Sequence, residues 1–375
     1  MNIVASSPEG LEDYLAQEIV NLGGENIKIQ RRSVSFHCNY ETLYRIHFHS
    51  RIAFRFYREV ARFSCFNKET LYQGVQSSFD WIKWLPPSET FCVKVTGNHS
   101  ALNHSHFNAL QVKNSIVDLQ QSILGKRSSI SLDNPYLIIH LHLNNRKAIL
   151  SLQSTAESLH KRGYRPSIGN APLKENLAAG LIQITKWDGE KPLIDLMCGS
   201  GTFLIEAASQ FFKKPVPFKI NYLFENWFDF DKDLFLTVKS NIIQRSMKGN
   251  KSLKIIGYEI NNDVFNQAKG NINLAGLSES IEIYNMDFSR FKMHLKKGII
   301  ICNPPYGKQL VKDQKELINL YTKIGNFVKE KFSGWELWLL SGNPELTRYL
   351  RMKSSLKFPV SNGGIDCRWI KYVIR

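Results

Sequence analysis

The residues most able to do chemistry in this chain are Asn303-Pro304-Pro305-Tyr306, at the end of the apolar run Ile299-Ile300-Ile301-Cys302. The two prolines cannot donate ladder hydrogen bonds, so they stop a buried strand and leave Asn303 extended at its tip. A planar amine with two N–H groups fits this arrangement. The Asn303 side-chain oxygen and the Pro304 carbonyl would accept its hydrogens, while the flat ring of Tyr306 would stack on the attached ring. Gly307 lets the chain turn away. These are the groups needed to present the exocyclic amine of a nucleobase to a methyl donor. A Pro-Pro turn alone would say little; the whole string after a buried strand says much more.

Three further strand ends carry matching groups. Leu193-Ile194-Asp195 runs into Leu196-Met197-Cys198-Gly199-Ser200-Gly201-Thr202, a strand, a glycine turn and a helix start. The glycines let backbone approach a ligand closely, and the helix that follows offers its N-terminal N–H groups. The turn has no Lys-Ser/Thr of a phosphate loop and no third glycine of a dinucleotide fingerprint. Instead Asp195 stands just before it, suited to an amine-bearing or cationic ligand. Lys254 to Glu259 reads as the next strand, its terminal carboxylate placed to hold a ribose through two hydroxyls. Ile281 to Asp287 reads as a third, its carboxylate placed for an adenine amine. In an open parallel sheet these ends share one crevice.

The rest of the chain must position that crevice. At 375 residues it is long for one domain. Its 43% hydrophobic and 22% charged residues are those of a globular protein. No apolar run approaches the roughly eighteen residues of a membrane span, and the N-terminus has no signal-peptide pattern. The six cysteines (Cys38, Cys65, Cys92, Cys198, Cys302 and Cys367) are scattered, so neither a disulfide framework nor a metal site is expected, and a reduced cytoplasm is the simplest home. The net charge is +16, with 16 Lys and Arg against 13 Asp and Glu in residues 1–160 and 33 against 20 thereafter. A polyanionic partner fits that excess.

The N-terminal region reads as alternating short helices and strands: a helix within 4–22, strands at 33–38, 51–60, 91–96, 136–143 and 147–153, and helices at 41–50 and 107–124. Arg51, Arg55 and Arg58 lie among aromatics, fitting either an RNA contact or a solvated strand face. His99, His104 and His106 fit a polar RNA-facing loop or a merely exposed one. Lys161, Arg162, Tyr164 and Arg165 lie in a basic, Gly/Pro-punctuated stretch that could track phosphates. Residues 211–250, an insertion between motifs, fit an RNA-facing flap or a structural cover equally.

Asp195 to Thr202 together with Asn303 to Gly307 resemble class I S-adenosylmethionine-dependent methyltransferases acting on exocyclic amines. More narrowly, His160-Lys-Arg-Gly-Tyr-Arg165, Ala171 to Ala179, Asn362-Gly-Gly-Ile-Asp-Cys367 and the opening Ala5 to Glu12 are similar to the THUMP-containing methyltransferases of bacterial large-subunit ribosomal RNA that modify a guanine amine. The likeness covers nearly the whole chain. It implies an α/β architecture: a C-terminal Rossmann-like methyltransferase sheet preceded by an α+β ferredoxin-like and THUMP RNA-binding region. The expected boundaries are 1–55, 56–155, a basic linker 156–172 and a methyltransferase domain 173–375.

The resemblance also implies S-adenosyl-L-methionine as cofactor. Asp195, Met197, Cys198, Gly199, Ser200, Gly201 and Thr202 would contact its methionine part, Glu259 its ribose, and Asp287 with Phe288 its adenine. Asn303, Pro304, Pro305 and Tyr306 would hold the flipped base, and Lys308 would join the RNA contacts. Leu196 stands where relatives usually have proline, and the second, C-terminal methyltransferase domain that some relatives carry is not expected here. The expected function is N(2)-methylation of a guanine in 23S RNA, free or within an assembling particle, with no membrane and no obligate protein partner. Rival readings are a transfer-RNA guanine methyltransferase, an adenine-N(6) methyltransferase, and a non-catalytic RNA-binding assembly factor.

Overall fold

The computed structural model describes residues 1–165, 173–216, 220–246, 253–291, 295, 297–306 and 314–375. Its first 153 residues build one sheet of eight strands: β1 (Asn2–Ser6), β2 (Glu25–Gln30), β3 (Ser33–His37), β4 (Arg55–Ser64), β5 (Thr90–Asn98), β6 (Ser129–Ile130), β7 (Leu137–Asn144) and β8 (Lys147–Gln153). Their order is β2-β3-β1-β4-β8-β7-β5-β6. Helices α1 (Glu12–Asn21), α2 (Tyr40–His49), α3 (Lys68–Ser78), α4 (Trp81–Trp84) and α5 (Ser105–Leu124) accompany it. Strand β4 pairs with β1 on one side and β8 on the other, so the portions expected at 1–55 and 56–155 share one continuous sheet.

The expected helix over 4–22 splits in two. Ile3 and Ala5 alternate into the core as β1, and helical spacing begins only at Leu11, Leu15 and Ile19. Edge strand β2 is almost wholly exposed, so it carries no alternation for a sequence reading to find. Elsewhere local chemistry sets the starts. Asn39 caps α2 by accepting from the Thr42 N–H, and Asn67 and Thr70 form a reciprocal capping box on α3.

The second half is a seven-stranded sheet built from β9 (Leu193–Asp195), β10 (Ile255–Tyr258), β11 (Ile281–Tyr284), β12 (Ile299–Cys302), β13 (Glu336–Ser341), β14 (Ser354–Asn362) and β15 (Ile365–Val373). The order is β11-β10-β9-β12-β13-β15-β14. Strands β9 to β13 run parallel, and the β14–β15 hairpin closes the sheet antiparallel. Helices α6 (Glu175–Thr185), α7 (Thr202–Phe211), α8 (Lys232–Ser246), α9 (Asn262–Leu274), α10 (Gln314–Lys331) and α11 (Pro344–Arg348) complete the layers. The fully buried Ile-rich strands β10 and β12 are the continuous apolar runs that a sheet covered on both faces requires. The strand order reverses between β9 and β12, which opens the crevice at their carboxyl ends.

The described part of the 211–250 insertion packs inward. Tyr222, Phe224 and Phe235 join Tyr44, His47 and Phe48 in one aromatic cluster. Arg58 donates to both Asp229 oxygens at 2.8 and 2.7 Å and to the Tyr40 hydroxyl at 2.7 Å. Its guanidinium also lies over the rings of Trp84 and Trp227. Lys214 gives its ammonium to the carbonyls of Ala275 and Gly276. The aromatic cluster and the Arg58–Asp229 pair tie the two halves, while Lys214 braces the second half internally; residues 247–252 of the basic run lie outside the described residues. Among the histidines, His99 is buried and bonded to the Cys65 carbonyl, while His104 and His106 are exposed.

Candidate active site

Asp195, Glu259, Asp287 and Asn303 lie at the carboxyl ends of four neighbouring parallel strands, in the order β11-β10-β9-β12. Asp195 ends β9 with 1% exposure, and its Oδ1 accepts the Met197 N–H at 3.1 Å. Burial pushes its carboxyl up to about 7, against that N–H bond, and the charge of nearby Glu259 adds to the rise. The turn that follows needs its glycines. Gly199 has φ +53° and Gly201 φ +83°, a conformation that side chains rarely adopt. A Cβ at Gly199 would meet nothing within 4 Å, so open space lies beside the turn. Gly201 caps α7, and Asn271 Nδ2 braces the Ser200 carbonyl at 3.0 Å.

Glu259, one residue past β10, is brought to that turn. Its Oε2 accepts the Gly199 N–H at 3.1 Å and its Oε1 the Asn261 N–H at 2.8 Å. Each oxygen keeps a lone-pair direction for a hydroxyl. Asp287 lies beyond β11, where it caps a single 3-10 turn, Phe288–Arg290, through the Ser289 N–H at 2.9 Å. Its other oxygen pairs with Lys323 of α10. Burial opposes ionisation of Asp287, but Lys323 and Ser289 outweigh it and hold the carboxyl below the usual range. The Phe288 side chain is 4% exposed and packs on Phe327, so a ligand at this strand end meets the Phe288 backbone rather than its ring.

At the fourth end, Asn303 Oδ1 is buried with no hydrogen-bond partner. An orphaned buried acceptor costs about 1–3 kcal/mol, so its survival at the mouth of a crevice points to a donor that arrives from outside. Tyr306 is half-buried. Its hydroxyl accepts from Asn362 Nδ2 at 2.8 Å and lies 3.6 Å from Cys367 Sγ. The Cys198 and Cys302 thiols nearby are pushed well above their ordinary range by burial, which leaves them inert as nucleophiles. Gly307 and Lys308 lie outside the described residues.

The basic stretch before the second sheet departs from its expected role. Lys161 is exposed, but Arg162 and Tyr164 are each only 2% exposed and face inward. Arg162 donates to the carbonyls of Leu159 and Arg51, and both Arg162 and Tyr164 reach Glu206 Oε1, at 3.4 and 3.2 Å. Arg51 donates to the carbonyls of Ser209 and Lys214. Arg165 pairs with Glu175 at 3.6 Å and donates to the Thr202 hydroxyl at the glycine turn. Arg162, Tyr164 and Arg165 are thus tied into the protein rather than offered to phosphates. A desolvated guanidinium survives only with such partners, and a basic run read along the chain does not reveal them.

Several residues at the site carried no assigned role in the sequence reading: Lys323, Gly342, Asn362 and Cys367. The last two belong to Asn362-Gly-Gly-Ile-Asp-Cys367, a motif visible in the sequence whose partner is 56 residues upstream. Among the described residues no helix is long and apolar enough to cross a membrane, and no group of three or more His, Cys, Asp or Glu is placed to hold a metal.

Comparison with known proteins agrees with this geometry. Residues 162–371 match a family model described as an RMKL-like methyltransferase domain, 66–153 a THUMP domain, and 2–57 an RlmL ferredoxin-like domain. A Synechocystis sp. protein named as an RNA methyltransferase is 38% identical over 372 residues, covering 98% of this chain and 95% of that one. The ribosomal RNA large subunit methyltransferase K/L of Vibrio parahaemolyticus is 35% identical over 99% of this chain, which spans 53% of that protein. The crystal structure of SMU.472 complexed with SAH superposes with a TM-score of 0.90 at 28% identity, covering 100% and 98% of the two chains. The open space beside Gly199 and the free lone pairs of Glu259 fit the ribose and methionine portions of S-adenosylmethionine. The chain belongs to the RMKL-like family of THUMP-containing class I methyltransferases and uses S-adenosylmethionine.

Proposed function

We propose that this protein methylates the N(2) amine of a guanine in large-subunit ribosomal RNA. The observation that carries the reading is the orphaned Asn303 Oδ1 just past the end of β12, three residues before Tyr306. Relatives named for RNA and for large-subunit ribosomal RNA support the substrate class, as do the THUMP match and the net charge of +16.

A guanine amine is a poor nucleophile because its lone pair is delocalised into the ring. Asn303 Oδ1 and the Pro304 carbonyl accept its two hydrogens and favour a pyramidal nitrogen, with the lone pair directed along the axis of transfer. Tyr306 stacks on the base, offsetting by about 1–3 kcal/mol the few kcal/mol needed to extrude it. S-adenosylmethionine supplies an electrophilic methyl on a sulfonium. Asp195 and the 197–202 turn hold its methionine part, Glu259 its ribose, and Asp287 with the Phe288 backbone its adenine. The new N–C bond forms as the methyl–sulfur bond breaks, and the amine, then strongly acidic, loses its proton to water. Positioning and electrostatic fit do the work, and no side-chain base is needed.

The test is incubation with methyl-labelled S-adenosylmethionine and separate pools of unmodified ribosomal and transfer RNA, followed by nucleoside analysis. Label in N(2)-methylguanosine of large-subunit RNA supports the reading. Label in methyladenosine, or in transfer RNA alone, replaces the substrate. No label in any pool, with no cofactor bound either, makes the chain an RNA-binding assembly factor.

A further inference from the structure

The Tyr306 ring is held on two sides. Its hydroxyl is clasped by Asn362 Nδ2 at 2.8 Å and by the Cys367 thiol at 3.6 Å. Its edge lies on the backbone of Gly342, where a Cβ would come within 2.9 and 3.0 Å of Tyr306 Cδ2 and Cε2. Asn362 and Cys367 flank the tip of the β14–β15 hairpin, a turn in which Gly363 and Gly364 take φ +61° and +88°. Only glycine adopts both conformations readily, so the turn sets the direction of the Asn362 amide.

Strand β14 is the outer strand of its sheet, and the N-terminal module leans on it. The Ser361 N–H donates to the Glu9 carbonyl at 3.2 Å. Gly10, at φ +93°, sits so close that a Cβ there would overlap the Pro359 carbonyl oxygen. The Tyr14 ring meets Phe358 edge-on at 6.4 Å. The Glu9–Gly10 loop is itself pinned by Glu12, which accepts the N–H groups of Gly10 and Arg32 at 2.8 and 2.7 Å. A connected run of contacts therefore leads from the N-terminal loop through β14 to Asn362 and the Tyr306 hydroxyl.

We propose that Asn362 is a positioning residue for methyl transfer: braced by the Glu9–Gly10 loop, it fixes the plane of the Tyr306 ring on which the target base stacks. This rests on the base-binding role given to Asn303–Tyr306 above. Stacking tolerates rotation about the ring normal but not tilt, so a freed ring lets the amine wander from Asn303 Oδ1 and from the axis of transfer. A misplacement of about 1 Å costs about a hundredfold in rate.

The experiment is a cycle of Asn362→Ala, Tyr306→Phe and the pair, read as kcat and KM on RNA, cofactor affinity, and amide exchange at Asn303 and Tyr306. Tyr306→Phe keeps the ring and removes the same hydrogen bond, so it stands in should Asn362→Ala fold poorly. Each single variant is expected to lower kcat by about tenfold to a hundredfold. KM and cofactor affinity stay as in the parent, the exchange of both amides quickens, and the pair is no worse than the worse single. Gly10→Ala, which displaces the brace, moves kcat and exchange in the same direction. A parental kcat for Asn362→Ala, or losses that multiply in the pair, overturns the proposal. If the parent methylates no RNA, the substrate reading fails on its own, and the exchange data still decide: unchanged amides at Asn303 and Tyr306 overturn the latch.

Discussion

Asn303 and Asp195 are two buried polar groups at neighbouring strand ends, and each makes a prediction about the ligand proposed for it. Asn303 Oδ1 is buried without a partner, and in the proposed reaction it accepts an N–H of the substrate. Asn303→Ala is therefore expected to lower methyl transfer by about a hundredfold to a thousandfold while leaving cofactor binding intact, measured by single turnover and calorimetry. Asp195, pushed up to about 7 by burial, makes a pH-dependent prediction. Its ionised form is the one that would hold the cofactor ammonium, so affinity for S-adenosylmethionine should rise as pH climbs through about 7. The sign for the free protein is opposite. A carboxyl whose folded pKa lies above its unfolded value of 3.8 contributes stability at acid pH that is lost as pH rises through about 7. Asp195→Asn should weaken cofactor binding, flatten its pH profile and remove this stability trend. Calorimetric titrations and thermal melts between pH 5.5 and about 8.5 check both.

At the scale of elements, the 220–246 segment is a clasp. It lays Tyr222, Phe224, Phe230 and Phe235 against α2, and Asp229 closes a bidentate pair on Arg58 that is stacked between tryptophans. Arg58→Ala leaves the Asp229 carboxylate half-buried without its partner and opens the slot between Trp84 and Trp227. The expected cost is about 2 kcal/mol, read from the denaturation midpoint at unchanged slope, and Arg58→Lys should recover little because a point charge cannot serve both oxygens and the rings. The crevice elements have a different logic. Strands β10 and β12 are short and buried along their whole length, and the residue that follows each, Glu259 and Asn303, stands at the carboxyl edge of the sheet.

For the whole molecule, the decisive contact is the buried charge group between the two halves. Arg51 from the N-terminal module and Arg162 and Tyr164 from the connecting stretch meet Glu206 of α7, all nearly inaccessible. Burial pushes Arg51 down to about 10, with Glu206 opposing. Removing that carboxylate in Glu206→Ala leaves two buried guanidiniums with their carbonyl bonds but without this shared counter-charge. A loss of about 3–5 kcal/mol, or separate unfolding of the two halves in calorimetry, is the expected result. Because α7 starts at the glycine turn and Arg165 reaches Thr202 there, the same variant should also weaken cofactor binding.

Much of this was legible in the sequence because it depends on local pattern. Apolar runs ended by Asp195, Glu259 and Asn303 mark strands, glycines mark the turn, and two prolines mark a stop, each through constraints within a few residues. The splitting of β1 from α1 and the exposed edge strand β2 escaped because a five-residue strand beside a helix and an unpatterned edge carry little periodicity. What only the tertiary structure decided is the fate of each polar side chain. Arg162, Tyr164 and Arg165 look like phosphate contacts in a basic run, yet desolvation drives them to distant partners at Glu206, Glu175 and Thr202. Asn362 has no evident role until the hairpin carries it to a tyrosine 56 residues away. Periodicity is a property of neighbours along the chain, whereas pairing a buried charge or fixing a ring depends on which strands the fold brings side by side.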